Sequence, residues 1–484
     1  MGPQAAGMQR RKRKKGPAPR KQPNGVVVNG VVVNRVVATR VVANSGEKKP
    51  SRPAWVAATL FLLCLTCYLA NGRTVPAPKA ADTLPNRILP FSALAFHTIT
   101  LDPFAKELAP NDQKWWVQRR RGHLVSFYPI GPALIAFPIY VPAWAWLSAH
   151  GRATAADFFA ISPAMEKISA SIIAALTVVF IYLTLRRWIS ARAAFLVSVG
   201  LALGTSMWAT ASQLLWQHGP VGFGVAAGVF FLTDSRRSIR SVSLAGLAYS
   251  LAIASRPTAG LFWLAAIGAL LLERRPWRQR FVTAAWFAAA GLPVILFCCA
   301  YNLYWYSSLL GGYLGAPLDL VWNSVLKGAA GLLFSPNRGL FIFMPITLLG
   351  IVGLLRSFRR VREEPHVPML AIAATLHFLL VSVFPYWHGG WAFGPRYLVD
   401  VLPILALGAG LELPRLGRDA RAAVAIVFVW SVLVQWNGAF CYPASQWDSR
   451  MSANIEKAAW NWGQFELWQD FRQWRGSPFW ATPY

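Results

Sequence analysis

Acidic residues are scarce in this chain. Of 484 residues only 19 are Asp or Glu, against 48 Lys or Arg, which leaves a net charge of +29. Charged residues of both signs make up 14%, where a soluble domain carries about 25%. Too few charges remain to cover a water-facing surface. Cysteine is sparse as well: there are five, and Cys64, Cys67, Cys298 and Cys299 lie inside apolar runs, which excludes a disulfide scaffold. No P-loop, dinucleotide fingerprint or Cys/His zinc spacing is present, nor a serine nucleophile elbow. Their absence argues against nucleotide-driven transport by this chain alone and against a Ser-His-Asp hydrolase. What is abundant is apolar surface: 55% hydrophobic residues, with 23 Trp and 29 Phe. The basic residues form no stripe on a polar domain, as nucleic-acid binding would require. They separate long apolar segments, the pattern of a polytopic membrane protein.

Apolar segments fall near 54–70, 168–185, 193–211, 219–234, 241–254, 258–272, 281–304, 339–355, 368–386, 397–411 and 421–437. A further run, 124–148, contains Pro129, Pro132, Pro138 and Pro142, which are expected to break its backbone hydrogen bonding. Five loops hold seventeen Arg: 186/187/192, 236/237/240, 274/275/278/280, 356/359/360/362 and 415/418/421. The loops alternating with them hold only Arg256, Lys327, Arg338 and Arg396. By the positive-inside rule the Arg-rich loops and the basic N-terminus are cytoplasmic. An even number of crossings must then lie between residues 71 and 167, so 124–148 either enters and leaves on the outer side or lies along that face. The expectation is an all-α polytopic protein of about eleven transmembrane helices plus that re-entrant or juxtamembrane segment. Its parts are a basic disordered cytoplasmic arm at 1–53, a transmembrane domain at 54–437 with a first outer loop at 71–167, and a Trp-rich outer tail at 438–484. The arm contains a basic run, Arg10–Lys15, and a Val/Asn repeat of period five; contact with anionic lipid is the alternative to plain disorder.

Polar residues in unusual places gather on the outer side. Asp82, just after the first span, suits either a catalytic carboxylate or metal ligand, or a helix N-cap. Arg119-Arg120-Arg121-Gly122-His123 is a basic cluster against the charge rule, suited to phosphate or to lipid headgroups. His218, in Gln217-His218-Gly219-Pro220, stands at an outer helix end. Asp82 and His218 are the only candidates for a metal. Arg338, in Ser335-Pro336-Asn337-Arg338-Gly339, opposes the dipole of the helix it starts and suits a phosphate. The loop Tyr386-Trp387-His388-Gly389-Gly390-Trp391-Ala392-Phe393-Gly394-Pro395-Arg396-Tyr397 suits sugar stacking or an interfacial aromatic belt.

In order, the chain shows an Asp in the first outer loop, Tyr128-Pro129-Ile130-Gly131-Pro132 entering an apolar segment, Ser335-Pro336-Asn337-Arg338-Gly339, and Gly389-Gly390 followed by Gly394-Pro395-Arg396-Tyr397. That order resembles the GT-C superfamily of membrane glycosyltransferases, near its protein mannosyltransferase and aminoarabinose-transferase branch, over most of 54–411. The resemblance implies a GT-C-like fold and transfer of a hexosyl or pentosyl group from a polyprenyl-phosphate carrier to a lipid, glycan or protein acceptor on the outer face of a bacterial inner membrane. It implies Asp82 as catalytic base or metal ligand, and Arg338 and Arg396, with Arg120 and Arg121, as ligands of the carrier phosphate. Arg87, His123, Tyr128, His218, Asn337, His388, Trp391 and Tyr397 are the expected substrate contacts. Relatives often carry a second acid where this chain has Gln217-His218, so a divalent metal is only weakly implied. The alternatives are a transporter or flippase of the same topology, or a non-catalytic assembly partner.

Overall fold

The computed structural model describes Gly2 and residues 51–71, 81–108, 116–234, 238–312, 324–445, 447–451 and 454–476. The expectations for the basic arm, apart from its last residues, and for Trp480 lie outside them. The described chain is a helical bundle. α1 (Ser51–Leu69) is followed by α2 (Leu84–Phe96), a two-stranded antiparallel hairpin of β1 (Val117–Arg120) and β2 (His123–Ser126), and α3 (Gly131–Ala149). Then come α4 (Ala155–Leu185), α5 (Ala191–Leu203), α6 (His218–Leu232), α7 (Ile239–Ser255), α8 (Gly260–Leu272) and α9 (Trp277–Tyr306). α10 (Ser324–Phe334), α11 (Thr347–Ser357), α12 (His366–Ser382), α13 (Leu402–Glu412), α14 (Arg418–Phe440) and α15 (Glu466–Gly476) complete the series.

Local chemistry sets several helix starts. Thr154 and Asp157 form a reciprocal capping box at α4, and Ser190 and Ser238 accept the N–H groups of Ala193 and Ser241 at α5 and α7. Each pairing satisfies a backbone donor that the helix itself leaves open. Each of the eleven apolar segments carries helix. Five helical stretches have the length and hydropathy to cross a membrane: Gly131–Ala149, Ala155–Leu185, Trp277–Tyr306, Arg396–Arg415 and Arg418–Phe440; the others are shorter. Leu292 and Leu296 on α9, Leu376 and Leu379 on α12, and Ile426, Val429 and Leu433 on α14 are exposed. Apolar faces of this kind are stable against lipid rather than water. The chain is an integral membrane protein.

Three segments read as single runs are broken. The run 193–211 ends as α-helix at Leu203 and resumes as a π-helical turn, Met207–Ala211. The run 339–355 divides at Met344-Pro345, where proline has no N–H for the next turn. The run 397–411 begins as a 3-10 turn, Arg396–Val401, before α13. The proline-rich run 124–148 departs from expectation the other way. α3 is continuous through Pro138 and Pro142, and Pro132 lies in its first turn, where an N–H is not needed. α3 packs on α2 and α4, and Gly131 abuts the backbone of Ala254 and Ser255 at the end of α7.

A second, smaller core is built from Leu84, Ile88, Phe91, Phe104, Leu124 and Phe158, capped by Tyr301 and Trp305 of α9. The larger core lies among α1 and α4–α8 and the helices from α11 onward. α11 and α13 cross so closely that a Cβ on Gly353 would sit 1.9 Å from the carbonyl oxygen of Gly408. Only glycine permits that approach.

Candidate active site

Asp82 lies in the 3-10 turn Ala81–Thr83 that leads into α2. The N-cap position of α2 belongs to Thr83, which makes no side-chain cap bond, so the helix-cap role considered for Asp82 is not the one it plays. Its carboxylate faces Arg396, with Oδ2 3.5 Å from Nη2 and side chains 22% and 11% exposed. The guanidinium lies over the rings of Trp216 at 4.4 Å and Tyr397 at 5.6 Å. The loop before Arg396 turns through Gly389, Gly390 and Gly394, all at positive φ (83°, 63° and 62°). A Cβ on Gly389 would lie 3.2 Å from Cγ of Arg396. These glycines allow the loop to fold over the arginine stem.

Asp82, Asn86, Tyr128, Trp216, His218 and Arg396 line one cleft, with Thr83, Leu215, Gln217 and Tyr397 completing its wall. Its floor is held from below by α4. Glu166 is buried, accepts the N–H of Leu215 at 3.1 Å, and lies 3.7 Å from Arg87. Lys167 donates to Gln213 at 2.6 Å and to Asn71 at 3.0 Å, tying the end of α1 to the π-helical turn.

Behind the cleft lies a network centred on Asp400, which is fully buried in the 3-10 turn after Arg396. Its Oδ1 is 2.8 Å from Nδ1 of His218, and its Oδ2 accepts from Arg256 Nη1 at 2.9 Å. His377 Nε2 is 3.3 Å from the same oxygen. Nδ1 of His218 lies between the Asp400 carboxylate, which only accepts, and Nη1 of Arg256 at 3.0 Å, which only donates. Asp400 was missed from sequence. The available signal was an acid inside an apolar run, which inside a membrane marks a paired or functional group.

The structure thus brings Asp82, Tyr128, His218, Arg396 and Tyr397 together. The other expected residues go elsewhere. Arg338 is 0% exposed and bound to Asp448 and Glu466 of the tail, with the Trp447 ring 4.8 Å from its guanidinium carbon. Burial holds Glu466 well above the usual carboxylate range despite that cation. Asn337 accepts the N–H of Glu466 at 2.7 Å and donates to the carbonyl of Ala458 at 2.7 Å. Both residues fasten the tail, whose α15 also packs on α14. His388 is buried beside them. Its carbonyl accepts from Arg338, and burial together with the Arg338 cation lowers its pKa to about 4. Trp391 is exposed. Arg120 and Arg121 stand at the hairpin turn over Tyr306 and Tyr304 of the α9 end. His123 pairs with Asp102 at 2.6 Å, and Arg87 faces Glu166.

Among the described residues no three His, Cys, Asp or Glu converge as a metal site. Asp82 already faces a guanidinium, and Nδ1 of His218 is committed to Asp400. This donor set does not suit a tightly held divalent cation.

No family model matches the chain, and no curated protein does. Solved structures do. Archaeal oligosaccharyltransferase AglB from Archaeoglobus fulgidus, in complex with an inhibitory peptide and a dolichol-phosphate, superposes with a TM-score of 0.52 at 12% identity, covering 86% of this chain and 59% of AglB. The fold is of the GT-C type. The same oligosaccharyltransferase in complex with Zn and sulfate gives 0.51 at 12% identity, covering 85% and 57%. ArnT from Cupriavidus metallidurans bound to undecaprenyl phosphate gives 0.49 at 14% identity, covering 88% and 76%. The chain spans well under two thirds of AglB.

Proposed function

We propose that this protein is a membrane glycosyltransferase that moves a hexosyl or pentosyl group from a polyprenyl-phosphate carrier to an acceptor on the extracytoplasmic face of a bacterial inner membrane. The observation that carries the proposal is the pairing of Asp82 with Arg396 in one cleft, 314 positions apart in sequence. Transfer of a sugar from a phosphate requires a base for the incoming hydroxyl and a cation for the departing phosphate. In this reading the acceptor oxygen bonds to the anomeric carbon as the carbon–phosphate-oxygen bond breaks. Asp82 takes the hydroxyl proton, and Arg396 receives the charge that develops on the lipid phosphate. Arg396 is stacked between aromatic rings, which fixes the plane of its donors. The fold supports the reading in kind, since AglB holds a dolichol-phosphate and ArnT an undecaprenyl phosphate. The acceptor class is a hydroxyl on a lipid, glycan or protein. No step is assigned to a divalent metal.

The test is transfer in membranes containing the full chain, with a panel of polyprenyl-phosphate sugars, with and without chelator. Asp82→Asn is expected to abolish transfer while expression and insertion persist, and chelator is expected to leave the rate unchanged. Full activity of the Asn variant would remove Asp82 from the chemistry.

A further inference from the structure

Two polar groups of the cleft have no hydrogen-bond partner among the described residues. Asn86 lies one turn beyond Asp82 on α2 and is 1% exposed. Its side-chain oxygen is buried with no hydrogen-bond partner, and its amide makes no hydrogen bond to any described residue. Leaving a buried amide unpaired costs on the order of 1–3 kcal/mol, and such groups in native proteins are almost always paired. The second group is Nε2 of His218. Nδ1 is occupied by Asp400 and Arg256, and no hydrogen bond joins Nε2 to a described residue. Both side chains line the cleft that holds Asp82 and Arg396.

The two groups ask for a particular chemistry. The orphaned atom of Asn86 is its carboxamide oxygen, an acceptor, and Nε2 of His218 accepts or donates according to the tautomer. A phosphate oxygen cannot satisfy the carboxamide oxygen, because it brings no proton. An ammonium cannot satisfy the amide donor. A hydroxyl donates its one proton to the Asn86 oxygen and accepts from Nε2–H, and where Nε2 carries no proton a neighbouring hydroxyl of the same sugar donates to it. Arg396 supplies the cationic wall of the same cleft, and Asp82 the anionic one.

We propose that Asn86 and His218 form a subsite for a hydroxyl of the sugar carried by the lipid phosphate, separate from the phosphate position at Arg396. This rests on the transferase reading and extends it. The site holds the sugar ring by a neutral donor–acceptor pair, and the carrier phosphate by a guanidinium. Specificity follows from the same geometry. A sugar with the hydroxyl binds; one lacking it leaves two buried polar groups unpaired, the most discriminating situation a site of this kind offers.

The experiment measures binding by the full chain in lipid nanodiscs. The probes are bare polyprenyl phosphate, the same carrier bearing a sugar that wild type binds, and monodeoxy versions of that sugar. Wild type is expected to bind the sugar-bearing carrier more tightly than the bare one, with one deoxy analogue losing about 5-fold per hydrogen bond removed. Asn86→Leu is expected to bind bare and sugar-bearing carriers alike, while Asn86→Asp, which keeps the acceptor, retains part of the preference. Arg396→Ala is expected to weaken both carriers together. A sugar preference undiminished in Asn86→Leu, or equal binding of every deoxy analogue by wild type, overturns the subsite and leaves the transferase reading standing. Failure of wild type to bind either carrier overturns both. The deoxy series uses unaltered protein, so it decides the matter even if Asn86→Leu does not fold.

Discussion

Arg396 offers the sharpest test of how the site works. At 3.5 Å from Asp82, two unit charges attract by about 5 kcal/mol at an effective dielectric of about 20. The two side chains are 11% and 22% exposed, and exposure draws such a pair toward the roughly 1 kcal/mol of a surface ion pair. The pair is therefore a modest contributor to stability, and Arg396→Ala is expected to leave a folded protein. Its effect on transfer is larger. A charge-assisted hydrogen bond to the departing phosphate is worth roughly 1.5–3 kcal/mol, which is about 10- to 150-fold in kcat/KM. Lysine keeps the charge but loses the planar fork and its seat over Trp216 at 4.4 Å, so Arg396→Lys is expected to recover only part of that loss. The assay is transfer in nanodiscs with a polyprenyl-phosphate sugar, normalised to folded protein by thermal unfolding. A folded Arg396→Ala protein as active as wild type would refute the assignment, as would full recovery by lysine of the activity lost in alanine.

The opposite pattern is expected at Arg338, which touches no part of the cleft. Arg338→Ala leaves Asp448 and Glu466 buried without their cation, a change worth roughly 3–5 kcal/mol. Limited proteolysis should release the tail at residues 447–476 and the unfolding temperature should drop. A third expectation concerns the hairpin. Burial raises the Asp102 carboxyl, but bonds from the Leu124 N–H, His123 and Thr100 outweigh it and hold the pKa below the ordinary value. A depressed carboxylate stabilises the fold above its unfolded pKa of about 3.9 and loses that contribution as pH falls through the folded value. Hydrogen exchange at Leu124 should accelerate on acidification through that window, and Asp102→Asn should give the faster exchange already at neutral pH.

Helix positions were legible because each depends on a local property: a long apolar run, a serine or threonine cap, an Arg-rich turn. The cleft was legible in part for a related reason. Asp82, His218 and Arg396 are polar groups in apolar surroundings, and such groups stand out in a sequence. Their partners did not. Arg338 and Arg396 look alike in sequence, each an arginine near glycine at a helix end. What separates them is tertiary: Asp448 and Glu466 arrive more than a hundred residues later and neutralise the first, while the second meets Asp82. Nothing in the spacing of the tail acids indicates that they are buried. The prolines of α3 misled for a different reason. Proline removes a helical hydrogen bond, but packing of the helix on α2 and α4 offsets that cost.

The Asp400 network explains why the site sits where it does. Arg256 ends α7, His218 begins α6, His377 belongs to α12, and Asp400 lies in the turn that carries Arg396. One buried carboxylate therefore joins four elements. The cluster's one carboxylate is matched by the one guanidinium of Arg256, so the burial of both is compensated. Removing either charge would leave the other unpaired in the interior, and the four elements would lose their common anchor. The broken run at 396–412 serves this arrangement: the 3-10 turn directs Arg396 and Tyr397 into the cleft and Asp400 onto the network behind it. A straight α-helix spaces residues 396, 397 and 400 so that they share one face. In a 3-10 turn residue 400 is rotated by about a third of a turn from residue 396, so Arg396 and Asp400 face different ways.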